Sequence, residues 1–261
     1  MKKIIVLLCF LSVFSLQIRT IYAADEDNSF YNNYLLNKLE FRTRMTYQSL
    51  TDSDSGAKGG LQGEGTYLGT IYALDEVQQS LPLSLYATYF FTQYIGLEVA
   101  YESIEAETVA TSIGYSTIKS DGDVFIGGLT ISLVGRYPNQ TRFTPYLSVG
   151  VGYFFGDFDE ATHWPIGYSD PTVYEALGSP STTYYGKTRE INIDDEFGFV
   201  MAAGCAYQMT DRLSLDRSLS YTAVEADATF IGYIDGVQVL EQDGSFPLDS
   251  VALRAGISFS F

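Results

Sequence analysis

The chain carries one histidine, His163, in the stretch ATHWPIGYSD, with Asp159, Glu160 and Ser169 close by in sequence. A histidine beside a serine or a carboxylate could act as general base in a hydrolytic site. The grouping is not diagnostic, since such residues are common in any loop, and an exposed loop histidine is the plainer reading. No glycine-rich phosphate loop and no cysteine–histidine metal spacing occurs. The acidic residues Asp52, Asp54, Asp157, Asp159, Glu160, Asp194, Asp195 and Asp243 never fall into the ligand spacing of a calcium loop. The chain therefore reads as a non-enzyme with no cofactor and no metal. A second set of polar residues has a regular rhythm. Glu40, Arg42, Arg44, Glu98, Glu102, Arg136, Asp216 and Arg254 are all even-numbered and include both signs. Such a set could pair off and plug a space, or line a selective path. Which it does depends on the elements that carry it.

Those elements alternate. In KLEFRTRMTY, Leu39, Phe41, Met45 and Tyr47 oppose Glu40, Arg42, Arg44 and Thr46. The same period of two recurs at about 81–91, 95–103, 128–137, 143–155, 197–207, 213–223 and 251–261, with the oily side always odd. Eight strands are thus predicted. Short connections at 92–94, 138–142 and 209–212 alternate with long ones at about 48–80, 103–123, 156–195 and 225–249. That is the rhythm of hairpins in a barrel with one confined end and one open end.

Alternation alone does not say which face points inward. An eight-stranded barrel has room inside for side chains and little else, and the Phe, Tyr and Leu of the odd face would overfill it. The even face, mostly Gly, Ser, Thr and Ala with a few charges, suits a narrow lumen. The aromatics also separate by position. Tyr89, Tyr137, Phe143, Tyr207 and Phe259 lie beside short turns, whereas Tyr47, Tyr101, Tyr153, Phe155, Phe197 and Tyr221 lie towards long loops. Two belts are expected at the two interfaces of a membrane. The prediction is an all-β protein: an eight-stranded antiparallel transmembrane β-barrel with short periplasmic turns and long extracellular loops. Arg217 breaks the pattern at an odd, lipid-facing position, which at mid-bilayer would cost about 2–4 kcal/mol.

The first residues, MKKIIVLLCFLSVFSLQIRTIYA, have the order of a secretory signal peptide ending at Ala23. The expected organisation is a signal peptide at 1–23, an N-terminal periplasmic segment at 24–37 and the barrel at 38–261. Loss of Lys2, Lys3 and Arg19 would take the formal charge from −17 to −20 (−17 − 3). So acidic a chain excludes nucleic acid as a partner. Cys9 would leave with the signal, so Cys205 remains as a single cysteine and forms no internal disulfide.

The C-terminal segment VALRAGISFSF, ending on Phe261, resembles the assembly signal of bacterial outer-membrane barrels. Within that group LPLSLYATYFFTQYIGLEVA, RFTPYLSVGVGYFF and MTDRLSLDRSLSYT resemble the OmpW-like eight-stranded family, in order from the second strand to the eighth. The family's glycine-rich first strand is replaced here by NKLEFRTRMTYQ. The resemblance implies the bacterial outer membrane as location. It implies lipid, lipopolysaccharide and the barrel-assembly machinery as partners. It also implies a narrow passive conduit for small apolar or amphipathic solutes. Two alternatives stay open: a structural or adhesin-like barrel with a plugged lumen, and an outer-membrane hydrolase built on His163.

Overall fold

In the computed structural model, residues 38–51, 70–75, 81–111, 118–119, 122–160 and 187–261 are described. The expected signal peptide and periplasmic segment, and with them His163, Ser169, Asp52 and Asp54, lie outside the described residues. Thirteen strands appear among them: β1 (Leu39–Leu50), β2 (Thr70–Leu74), β3 (Leu83–Phe90), β4 (Ile95–Thr111), β5 (Ile118–Lys119), β6 (Gly122–Arg136), β7 (Phe143–Glu160), β8 (Lys187–Ile193), β9 (Glu196–Gln208), β10 (Leu213–Ala223), β11 (Glu225–Ile234), β12 (Val237–Pro247) and β13 (Ser250–Ser260). Eight of them form a closed antiparallel ring in the order β1-β3-β4-β6-β7-β9-β10-β13. The ladder of β1 with β13 joins the first strand to the last and leaves no edge in the ring, as hydrocarbon requires.

The register fixes the shape. A walk around the ring from Glu40 passes Thr88, Glu98, Ser132, Gly150, Val200, Thr222 and Ser250 and returns to β1 at Leu50. The stagger is 50 − 40 = 10 residues. Ten residues of about 3.3 Å set against eight strand spacings of about 4.8 Å give a tilt of about 41°. Phe143 and Tyr153 on β7, and Tyr207 and Phe197 on β9, are each ten residues apart. At that tilt each pair is separated by about 25 Å along the barrel axis, the height of an outer-membrane apolar band.

The four long connections are shorter than the sequence pattern suggests. β4, β6 and β7 run on well beyond the outer aromatics, and β11 and β12 form a hairpin across Asp235-Gly236, both with positive φ. Such a two-residue turn twists in the sense that the strands need. β8 pairs with β11 to complete a second, three-stranded sheet. On β4, β6, β7 and β11 the parity holds while the polarity inverts; on β8 the buried positions are the odd Ile191 and Ile193. Above the outer belt the even, inward positions become apolar: Ile104 and Ala106, Val124 and Ile126, Ala226, Ala228 and Phe230. The outward positions there include Asp157, Asp159, Glu225 and Asp227. A strand that leaves lipid for water must exchange its faces. The statement that the oily side is always odd holds only within the membrane span.

Candidate functional site in the barrel lumen

The interior has two storeys. The upper one, at the long-loop end, is an apolar cluster that includes Leu50, Ile104, Ile126, Phe154, Val200, Val224, Phe246 and Leu248, all buried. Below it, within the membrane span, the inward positions carry the charges. Glu40, Arg42, Arg44, Glu98, Glu102, Asp216 and Arg254 are buried, and Arg136 is half-buried at the short-turn mouth.

Each arginine meets a carboxylate. Arg42 donates from Nε to Glu40 at 2.7 Å and from Nη1 to Glu98 at 3.0 Å. Arg44 Nε donates to Asp216 Oδ1 at 2.6 Å, Arg254 Nη2 to Glu102 at 2.9 Å, and Arg136 Nη1 lies 3.5 Å from Glu40. Four cations and four anions face the lumen among the described residues, and their formal charges cancel. Cancellation is what a dry interior demands, because an uncompensated buried charge costs several kcal/mol.

Two tyrosines that the sequence reading left unassigned tie the pairs together. Tyr146 on β7 accepts a hydrogen bond from Arg44 Nη2 at 2.8 Å and donates to Asp216 Oδ1 at 3.1 Å. Tyr86 on β3 donates to Glu102 at 3.1 Å, and its ring lies 4.2 Å under the Arg44 guanidinium. Thr88 donates to Glu98 at 2.9 Å, and Arg136 stacks 3.5 Å over Phe90. Glycine makes the room: a Cβ on Gly204 would run into the Tyr146 ring. The signal for these residues was a bulky aromatic at an even position among Ser, Gly and Ala. Below the network a polar vestibule of about 220 Å³ opens at the short-turn end, lined by Glu40, Arg42, Arg136, Tyr146 and Gln208 among others.

The belt aromatics all sit on the outer face. Phe143 and Tyr207 pack at 4.9 Å between centroids at the lower level, and Tyr153 and Phe197 at 4.9 Å at the upper. Tyr89, Tyr137 and Phe259 share the lower level with Phe261, whose ring contacts Phe41 at 5.7 Å and Phe259 at 5.2 Å. Tyr47, Tyr101, Phe155 and Tyr221 lie at the upper level. Two loop aspartates lock that rim. Asp249 accepts hydrogen bonds from the Val224 amide at 2.8 Å and the Tyr221 hydroxyl at 3.1 Å. Asp195 accepts from the Gly156 amide and the Tyr153 hydroxyl, both at 3.2 Å. Among the described residues no group of His, Cys, Asp and Glu is arranged to hold a metal ion.

Comparison with known proteins agrees with this architecture. Residues 40–261 match the sequence model of the OmpW family. None of the curated proteins matches significantly. Among solved structures, the outer-membrane protein OprG from Pseudomonas aeruginosa is similar with a TM-score of 0.57 at 17% identity, over 87% of this chain and 97% of that one. The outer-membrane protein AlkL, solved in lipid bilayers, is similar with a TM-score of 0.52 at 18% identity, over 88% and 92% of the two chains.

Proposed function

The chain belongs to the OmpW family and is a β-barrel of the bacterial outer membrane, and from that premise we propose that it is a passive conduit for small apolar or amphipathic solutes. The observation that carries this reading is the two-storey interior. A solute arriving at the long-loop end would have to part the packed apolar cluster around Ile104, Ile126, Phe154 and Phe246, which would receive it by the hydrophobic effect. Further descent is opposed by the neutralised ion-pair network, whose disruption would leave buried charges uncompensated.

A sideways exit is supported by the ladders. The β1–β3 ladder stops at Met45 and the β3–β4 ladder at Tyr101. The neighbouring seams continue: β1–β13 to Leu50 and β4–β6 to Glu107. Among the described residues the wall carries fewest ladder bonds above β3, between the Thr46–Pro82 bond and the point where β2 pairs with β4 at Thr108, and there an apolar solute could leave for lipid. The plugged structural barrel predicts no solute flux at all, and a hydrolase would turn its substrate over.

The test is uptake of a long-chain hydrocarbon probe by cells that express the protein as their only added outer-membrane barrel. Ile126→Glu, which puts a charge in the upper storey, should abolish the uptake while heat-modifiable gel mobility shows a folded barrel. Uptake by the wild type no faster than by empty cells would sink the reading.

A further inference from the structure

The outer wall of the barrel carries a groove that neither the lumen nor the conduit uses. Its volume is about 720 Å³, and it crosses β6, β7, β9 and β10 between the two belts, within the range of about 300–1,000 Å³ that small-molecule sites occupy. Leu147, Val149, Met201 and Leu219 form its walls, and the small residues Gly135 and Ala203 keep its floor low.

Arg217 stands at its lower margin. Ala203 and Leu219 pair across β9 and β10, and the next outward pair below them is Cys205 and Arg217. On the other side Arg217 pairs with Ala255, so small side chains flank it on both sides. It is exposed, and no carboxylate pairs with it among the described residues. Four residues of β10 separate it from Leu213, which pairs with Phe259 of the lower belt. At about 3.3 Å per residue and a tilt of about 41°, its Cα lies about 10 Å above Leu213 along the axis. An arginine at that depth relieves its burial by laying its stem along the wall and carrying the guanidinium towards the nearer interface. The short side chains of its register neighbours Cys205 and Ala255 leave room for that path.

A guanidinium carried that way to the short-turn interface, one outward position below the groove residue Leu219, would be complementary to an anionic phosphate diester with acyl chains rising from it. The geometry points to a binding site for a glycerophospholipid of the periplasmic leaflet, with its phosphate on Arg217 and an acyl chain along the Ala203–Gly135 floor. Guanidinium and phosphate oxygens match in charge and in bidentate shape.

The test is native mass spectrometry of the full-length barrel released from vesicles of phosphatidylglycerol or, separately, from bilayers doped with diacylglycerol of the same chains. The wild type should retain one phosphatidylglycerol and no diacylglycerol. Arg217→Gln should lower retention at least about tenfold, the scale of a lost charge-assisted hydrogen bond, and Arg217→Lys, which keeps the charge but not the bidentate fork, should fall between Arg217→Gln and the wild type. Ala203→Phe, which fills the floor, should also release the lipid. Equal retention of diacylglycerol, or unchanged retention in Arg217→Gln, overturns the site. So does a wild-type dimer that Arg217→Gln dissociates, since a second copy would then cover Arg217. The wild-type comparison of the two lipids needs no variant to fold.

Discussion

Asp216→Asn is the most informative single change in the lumen. The side chains of Asp216 and Arg44 are 0% and 1% exposed, and their contact is 2.6 Å. Asparagine keeps the size and an oxygen for the Tyr146 hydroxyl, but it removes the charge. Arg44 would then retain Tyr146 at 2.8 Å and no anion in contact, and the lumen would carry one net positive charge. Breaking a buried pair from one side costs about 3–5 kcal/mol. The pair itself is worth less than that, because Asp216 Oδ2 receives no hydrogen bond and so leaves part of its desolvation uncompensated. Replacing both partners, as Arg44→Met with Asp216→Leu, should therefore restore most of the lost stability. Reversible urea unfolding in detergent micelles of Arg44→Met, Asp216→Leu and the double variant should then show the double losing less stability than either single change. A loss below about 1 kcal/mol in Asp216→Asn would be the behaviour of a screened, solvated pair. It would refute the dry lumen and with it the argument that the plug turns solutes aside.

Two further outcomes follow from the same geometry. Gly204→Val would drive a side chain into the Tyr146 ring and should cost about 1–3 kcal/mol as overpacking, read as a lower urea midpoint. Asp249→Ala removes the acceptor for the Val224 amide and the Tyr221 hydroxyl and should cost about 1–3 kcal/mol locally. Its readout is faster proteolysis of the β11–β12 hairpin while the membrane-spanning barrel stays resistant.

The membrane part of this fold was legible because lipid outside and charge inside leave a strict period of two, as in Leu39 to Tyr47 and Val251 to Phe261. The eight inward charges could be placed by parity alone. Their partners could not. Arg44 and Asp216 are 172 residues apart, and only the closing β1–β13 ladder brings them into reach, with Gly256 in register between them. The upper barrel reads as loop in the sequence for a different reason. SIEAET alternates as regularly as any strand, but in the opposite phase, and GDVFIG does so with Phe125 as an exception; a search for odd-numbered oil stops where the solvent changes. Asp235-Gly236 between IGYI and VQVL is a hairpin signal within the long connection at 225–249.

The inversion also bears on why the plug is ionic. An apolar interior continued down through the membrane span would make both faces of every strand oily there. Such strands would lose the alternation that keeps each apolar run short, both below the length of a helical span and below that of an aggregation-prone segment on the way to the membrane. Polar inward positions preserve the alternation, and in a lumen too narrow for bulk water those positions must be mutually satisfied. Arg42, Arg44, Arg136 and Arg254 against Glu40, Glu98, Glu102 and Asp216 meet both conditions at once. Above the outer belt neither condition applies, since water already covers the outward face, and there the interior is free to be apolar. The boundary between the storeys is therefore set by the solvent outside the wall: the upper apolar interior ends where the lipid begins, and below it only a small apolar patch of Phe90, Val134 and Tyr146 remains near the short-turn end.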